Sequence, residues 1–276
     1  MPYGNSNYQG WANQLTRRFT NGLQFIASYT WSHNIDNSTA DVFSTYTTPR
    51  RPENFQDING DKSDSALDHR QRFSYQVIYD VPFLKHSTSW FMRNIVGDWE
   101  IAPVYQYQVG TWVTVQSGID SNMNGDSAGD RTMINPAGTA NVGSGATALT
   151  NSAGQTVAYL ANNPDARYVV APKGVLPDAG RNTMQVNPID DVDLTVAKYF
   201  GVGKEDRFKL RLEGRFFNVL NHPQYVAGNI SDVGSVGFTG TAVHNSLIPS
   251  TSLFGDWSQV FSSNPRSIQV SLKLTF

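Results

Sequence analysis

Apolar and polar residues alternate along several stretches of this chain. The pattern is clearest in SIQVSLKLTF (267–276), where every second residue from Ile268 to Phe276 is apolar and the residues between are polar. Successive side chains of a β-strand point to opposite faces, so this spacing predicts a strand with one apolar and one polar face. The same alternation, more or less strict, predicts seven strands: 8–19, 23–33, 72–81, 99–109, 192–200, 207–217 and 266–276.

The segments between these predicted strands fall into two classes of length. Residues 20–22 and 201–206 are tight turns and 82–96 form a longer link, whereas 34–71, 116–190 and 218–265 are long and polar. Outer-membrane β-barrels combine short periplasmic turns with long extracellular loops, while soluble sandwiches rarely carry several long loops on one side. The sequence therefore predicts an all-β fold, an antiparallel meander forming part of a transmembrane outer-membrane β-barrel with long extracellular loops.

Aromatic and charged residues agree with this interpretation. Aromatic residues cluster near both ends of the predicted strands, where a barrel carries its interfacial girdles. The charged residues of strand 207–217 share the face that would point inward. Arg17 and Lys198 fall in lipid-facing columns, but near the turn end, where each could extend to the interface. Pro103 cannot donate a ladder hydrogen bond, so a bulge or bend is expected there.

Composition narrows the function classes. A net charge of −2 with scattered basic residues argues against a nucleic-acid partner. The absence of cysteine excludes disulfides and thiolate chemistry. Mean hydropathy is −0.38, and no run approaches the roughly 18 apolar residues that a membrane helix needs. A barrel strand shows only one face to lipid, so this hydropathy is compatible with a membrane barrel.

The stretch DSNMNGDSAGD (120–130) is the best candidate for a ligand site. Its alternating oxygen donors around Gly125 resemble the start of a calcium loop, although Arg131 stands where such loops place a bidentate acid. The alternative is a polar loop whose side chains satisfy its own backbone. Calcium is the only cofactor that the sequence suggests. The candidate ligands are Asp120, Asn122, Asn124, Asp126 and Asp130.

Nothing in the sequence indicates catalysis, and the chain is expected not to be an enzyme. The five histidines show no metal-ligand spacing, and no GxSxG motif is present. Asp68, His69 and Arg70 lie together where a long loop meets strand 72–81. We interpret them as a polar network at the rim of the predicted barrel.

Seven segments together carry a family resemblance. They are RRFTNGLQFIASYTWSHNID (17–36), SDSALDHRQRFSYQVIYDVPF (63–83), GDWEIAPVYQYQVGTWVTVQSG (97–118), DSNMNGDSAGDR (120–131), GRNTMQVNPIDDVDLTVAKYF (180–200), RLEGRFFNVLNHPQY (211–225) and NPRSIQVSLKLTF (264–276). On these segments the chain resembles the C-terminal part of the TonB-dependent transporters with an Oar-like barrel. These outer-membrane proteins often carry an N-terminal carboxypeptidase-regulatory-like domain.

The resemblance implies transport of a ligand across the outer membrane. The implied partners are outer-membrane lipid, the remainder of the barrel with its plug, the TonB system, and the barrel-assembly machinery, which would read Phe276 as an assembly signal. Such barrels have about 22 strands around a plugged lumen. Residues 1–276 show seven strands and no plug, TonB box or signal peptide, so we expect the C-terminal third of a barrel. The alternative is a soluble or surface β-protein whose long loops bind a carbohydrate or protein ligand.

Overall fold

The computed structural model describes residues 4–39, 47, 52–84, 87–125, 127, 129–202, 208–225, 242–259 and 264–275. The strands are β1 Ser6–Thr20, β2 Leu23–Asp36, β3 Ser63–Asp64, β4 Gln71–Asp80, β5 Trp99–Gln108, β6 Trp112–Val113, β7 Met133–Ile134, β8 Thr139–Ser144, β9 Ala146–Thr150, β10 Thr156–Ala161, β11 Ala166–Val169, β12 Met184–Gln185, β13 Ile189–Val202, β14 Phe208–Phe217 and β15 Ser267–Thr275. The helical segments are α1 Ala242–Leu247, two 3₁₀ turns at Ile58–Asp61 and Trp257–Gln259, and a π-helical turn at Met92–Val96.

The seven long strands form one sheet in the order β1-β2-β4-β5-β13-β14-β15, with β3 added beside β2. Every neighbouring pair is antiparallel. Each long strand corresponds to one of the seven predicted from alternation, with ends that differ by a few residues. The predicted antiparallel meander is confirmed.

The register places most of the large apolar residues of the seven strands on one face, with Ile26, Ile78 and Val104 among the exceptions. Phe25 pairs with Val77 and Leu210 with Leu274, and directly paired residues share a face. The opposite face is polar, with Arg211 paired to Lys273. Apolar side chains remain exposed on the first face, in β15 most of all: Ile268, Val270, Leu272 and Leu274 are 61%, 70%, 65% and 56% exposed. The sheet is therefore a wall with an apolar and a polar side.

An Asn-Gly pair makes the turn between β1 and β2. Asn21 and Gly22 both have positive φ, 52° and 78°, as the tight hairpin turns that match strand twist require. A Cβ on Gly22 would also meet the carbonyl oxygen of Asp80 at 2.7 Å. This turn lies at the same end of the wall as the link between β4 and β5 and the connection between β13 and β14.

Pro103 does not cause the bulge expected from its missing donor. Gln76 pairs with Val104 and Tyr79 with Ile101, so the register between β4 and β5 is the same on both sides of the proline. Only the two intervening pairs are missing from the ladder. Pro103 therefore interrupts the pairing of β4 with β5 locally and does not shift the register.

The long segments at the other end of the wall fold into a head. Three small sheets lie there: β12 with β6, β10 with β9, and β7-β11-β8, in which β8 and β11 run parallel. The head has its own hydrophobic core, and it joins segments far apart in sequence. The buried members of this core are Val113, Val115, Tyr168, Met184, Val186, Leu247 and Trp257.

Among the described residues, no helix has the length and apolar character needed to cross a membrane.

Candidate functional site: the head and the polar face

A buried ion pair ties the head to the end of β2. Arg181 is 3% exposed, and its guanidinium bonds the Asp36 carboxylate and donates to the Asp36 carbonyl at 2.7 Å and to the Asp61 carbonyl at 3.0 Å. The hydroxyls of Thr39 and Ser65 donate to the same carboxylate. Charges taken out of water are tolerated only when paired and hydrogen-bonded in this way. The pair fixes the position of the head relative to the wall.

A second buried guanidinium lies deeper in the head. Arg131 bonds the carboxylate of Asp61 and lies 3.3 Å from the Glu53 carboxylate, which also accepts the Arg131 backbone N–H at 3.2 Å. Burial raises the pKa of the Glu53 carboxyl above its ordinary value, and Arg131 offsets part of that effect. Through this guanidinium, the loop between β6 and β7 is cross-linked to the segment 53–61 that precedes β3.

The predicted polar network at the rim is confirmed. Asp68 has a fully buried carboxylate that accepts from Asn34 N at 2.6 Å, Arg70 Nε at 3.0 Å and Trp112 Nε1 at 3.3 Å. Arg70 also reaches Asp64 at 2.8 Å, which in turn contacts His33. These contacts join β2, β3, β6 and the segment that leads into β4, so the rim holds the wall and head together.

His69 takes part in the rim as a neutral imidazole. Arg72 Nε donates to Gln108 Oε1 at 2.7 Å, which directs the Gln108 amide NH₂ to His69 Nε2 at 3.3 Å. His69 Nε2 must then accept, leaving Nδ1–H to donate to the Val109 carbonyl at 3.0 Å. Burial lowers the pKa of His69 below its ordinary value. Geometry and burial favour the same uncharged form.

A polar cavity of 320 Å³ opens on the polar face just below this rim. Hydroxyl and amide groups from three neighbouring strands line it, with Arg72 as its cation. Such a lining can hydrogen-bond a polar ligand or its hydration water. The lining residues on this face are Ser28, Thr30, Arg72, Ser74, Gln106, Gln108 and the apolar Ile189 of β13.

The polar face carries a charge cluster towards the turn end. Arg211 forms ion pairs with Glu100 at 2.8 Å and with Glu213 at 2.7 Å. Glu213 forms a second ion pair, with Arg215. Tyr199 donates its hydroxyl to Glu100 at 2.9 Å. The alternation of strand 207–217 already placed its charged residues on one face, but Glu100 and Tyr199 could be joined to them only once the register between strands was known. The cluster makes this part of the polar face a balanced, charged surface.

The loop proposed for calcium uses several of its oxygens on its own backbone. Asp120 accepts from the backbone N–H groups of Asn124 and Gly125 at 3.0 Å, and Asn122 accepts from Asn124 N at 3.0 Å. Asp130 is 2% exposed and accepts from the backbone of Ser121. Within the described part of the chain, no three His, Asp or Glu side chains converge as a metal site would require. Calcium binding stays a prediction.

Two of the predicted site residues fall outside the described residues. They are Asp126, the fourth oxygen donor of the loop, and Phe276, the terminal aromatic of the predicted assembly signal. The strand that leads to Phe276 is described as far as Thr275, which pairs with Lys209.

Sequence reasoning did not find the two buried guanidinium clusters. Arg181 and Asp36 are 145 residues apart, and Arg131 and Asp61 are 70 apart. Both arginines lie in segments interpreted as polar loops, where a charged residue carries no signal of burial. The acidic stretch QDINGDKSD (56–64) was the available clue, because it supplies Asp61 to the Arg131 cluster and Asp64 to the rim network of Arg70.

Together these features define a class of protein: a β-wall with an apolar outer side, a polar inner side and an ordered head of loops at one end. Residues 1–269 match a protein family described as an outer membrane beta barrel domain. The chain belongs to that family, and its location is the outer membrane. The apolar face is therefore the lipid-facing face and the polar face is the inward-facing one. No curated protein and no solved structure matches the chain.

Proposed function

We propose that this chain is the membrane-embedded C-terminal segment of a TonB-dependent, Oar-like outer-membrane transporter, in which the head captures a ligand and the polar face lines its route inward. The ordered head carries this proposal. Two of the long loops share a hydrophobic core, and buried ion pairs join the loop after β2 to them. A binding structure requires such order, and a simple solvent-exposed connection does not.

The arrangement of polar groups supports uptake of a polar ligand. The cavity of 320 Å³ lies directly below the rim, and its lining includes hydroxyl, amide and guanidinium groups beside apolar ones such as Ile189. The charge cluster around Arg211 lies further along the same face. A ligand released from the head would meet hydrogen-bonding groups first and paired charges next. The sequence resemblance supplies the proposed link to the TonB system and a plug.

The experiment is a retention assay with the native gene product, its length first established by mass spectrometry. Solubilised outer membranes are passed over an immobilised periplasmic domain of the host TonB protein. Retention of the native product would support the proposal, and residues 1–276 expressed alone serve as the control that should not be retained. A native product that inserts in the outer membrane but is not retained would overturn TonB dependence and leave a barrel of another transport class.

The soluble alternative is disfavoured by the apolar face. Four side chains of β15 alone are more than half exposed on the side that a soluble sheet would bury. The head could bind a carbohydrate or protein ligand in either case, so ligand binding by itself does not separate the two functions.

A further inference from the structure

The link between β4 and β5 contains a short helical segment at the turn end of the wall. Residues 90–96 are helical, and Met92–Val96 form a π-helical turn. We call residues 90–96 the rim helix; it lies at the turn end of the wall, opposite to the rim where Asp68 joins the wall to the head. The rim helix ends at Gly97, just before β5 begins at Trp99. The composition of the link, HSTSWFMRNIVGD (86–98), includes several large apolar residues that neither the strand pattern nor the proposed transport function explains.

The side of the rim helix that faces the protein is polar. Asn94 is 1% exposed, and its side-chain oxygen accepts the backbone N–H of Gly201 at 3.1 Å. The last pair between β13 and β5 is Lys198 with Trp99, and Gly201 lies three residues beyond it. No residue of β5 is therefore beside Gly201 to accept its N–H. Asn94 thus satisfies a backbone donor that the sheet leaves open. The helix is docked on the wall through a buried amide.

Lys198 makes the second docking contact. It lies on the lipid-facing side of β13, paired with Trp99 and Leu212, and was expected to extend to the interface. Instead it is only 3% exposed: its ammonium donates to the carbonyl of Gly97 and lies 3.5 Å from that of Arg93. Carbonyls at the C-terminal end of a helix attract a cation. The rim helix therefore shields a charge that would otherwise face lipid.

The other side of the rim helix is apolar and uncovered. Trp90, Phe91, Met92, Ile95 and Val96 are 64%, 58%, 43%, 45% and 39% exposed. A helix in water buries its apolar stripe and exposes its amides, and this one does the reverse. The helix leads within three residues into β5, whose lipid-facing residues Trp99 and Ile101 are 37% and 38% exposed. The inverted burial and this continuity with the lipid-facing side of β5 indicate that the same apolar medium covers both.

We propose that the rim helix is an interfacial membrane anchor that lies in the boundary between headgroups and acyl chains on the periplasmic side of the bilayer. The partner is the phospholipid surface itself. Aromatic residues favour this depth, and an amphipathic helix with a polar side against protein can insert its apolar side there. The proposal rests on the outer-membrane location of the chain and is independent of TonB-dependent transport.

Fluorescence quenching by brominated lipid tests the proposal. Residues 1–276 contain no cysteine, so one introduced cysteine carries the only label once any cysteine elsewhere in the gene product has been changed to serine. Ile95→Cys in the full gene product, labelled with bimane, is reconstituted in phosphatidylethanolamine–phosphatidylglycerol vesicles. Leu160→Cys is the matched control, because it is an exposed leucine of the head, and Val270→Cys marks the lipid-facing wall. Folded protein is selected by its heat-dependent mobility in gel electrophoresis, so a misfolded variant does not enter the measurement.

The label at 95 should lose most of its fluorescence with lipids brominated near the headgroup end of the chain and less with lipids brominated near the bilayer centre. The label at 270 should respond more strongly to deep bromine, and the label at 160 to neither. A label at 95 that behaves as the one at 160 does would overturn the proposal. The proposal would also be overturned if cross-linking showed that a second copy of the chain, or another protein in the vesicles, covers position 95 and shields its label from the brominated lipid.

Discussion

Single residues of the head show how a polar segment can be ordered without a large apolar core. Arg131 and Arg181 are both buried, and each is surrounded by carboxylate or carbonyl oxygens. Removing one partner of a buried pair typically costs about 3–5 kcal/mol, since the remaining charge is left uncompensated. The geometric demands of these pairs restrict the loops to one arrangement. This restriction is what the proposed capture of a ligand by the head requires.

His69 should make the rim sensitive to acid. Its pKa is lowered in the folded protein, so the folded state binds fewer protons than the unfolded state. The stability that neutral His69 contributes is fully present above the ordinary histidine pKa of about 6.5, and it is lost as pH falls from there through the lower pKa of His69 in the folded protein. Protonated Nε2 would also point a donor at the Gln108 amide, which already donates to it. Proteolysis between the head and β4 should therefore accelerate as pH is lowered from neutral.

The variant His69→Asn checks this expectation. The asparagine amide can donate to the Val109 carbonyl as Nδ1–H does, and it does not titrate in this range. Its proteolysis rate, followed by mass spectrometry of the fragments, should depend less on pH than that of the parent. His222→Asn, at an exposed loop position, is the control and should keep the parent profile. Identical profiles for the parent and His69→Asn would show that His69 does not carry the pH dependence.

At the scale of elements, the wall was predictable and the head was not. A strand with one lipid-facing side repeats its apolar residues every second position, so β14 and β15 can be recognised from local sequence. Short connections then pair neighbouring strands in order. The strands of the head are mostly two to six residues long, too short for a period to be visible. Their pairing, including the parallel contact of β8 with β11, depends on contacts made only after folding.

In the candidate site, too, one part could be predicted from the sequence and another could not. The part of the rim network formed by Asp68, His69 and Arg70 could be predicted because these residues are adjacent at a loop-to-strand junction, whereas the distant partners Asn34 and Trp112 could not. The rim helix could not, because a helix that exposes its apolar stripe and buries Asn94 violates the pattern used to detect soluble helices. Its docking contact with Lys198 is also more than one hundred residues away in sequence.

The loop between β6 and β7 gives the prediction at this scale. If residues 120–130 bind calcium, adding the ion should protect the loop from protease and chelator should remove the protection, because cation ligation ties several carboxylates together. The double variant Asp120→Ala with Asp126→Ala should abolish this difference, while Asp165→Ala, in another head turn, should preserve it. Equal cleavage of the parent with calcium and with chelator would favour the self-satisfied loop, in which Asp120 serves the backbone of Asn124 and Gly125.

At the scale of the whole molecule, three surfaces meet three environments. The apolar face requires lipid, the polar face requires water or a polar plug, and the head requires the extracellular side if the short turns are periplasmic. The described strands leave β1 and β15 with one strand neighbour each, so the wall has two open edges. Open edges and an exposed apolar face are aggregation hazards in water. The chain should be handled as a membrane protein in detergent or vesicles.

Adjacent positions in β15 offer the sharpest test of this arrangement. Val270 is 70% exposed on the apolar face and pairs with Gly214, whereas Ser271 is on the polar face and pairs with Glu213. Val270→Lys places a cation in lipid near the middle of the strand, at a cost of about 2–4 kcal/mol at the bilayer midplane. Ser271→Lys places the same cation beside a carboxylate, where it should be tolerated.

The two variants are compared by the folded fraction recovered in vesicles across a urea series and by their abundance in purified outer membranes. Val270→Lys should lower both, and Ser271→Lys should remain close to the parent. A soluble sheet would respond in the opposite way, because a lysine replacing a valine that is 70% exposed to water is neutral or favourable. Tolerance of Val270→Lys in vesicles would therefore contradict a lipid-facing β15, and the matched substitution one residue away controls for the effect of adding a charge to the strand.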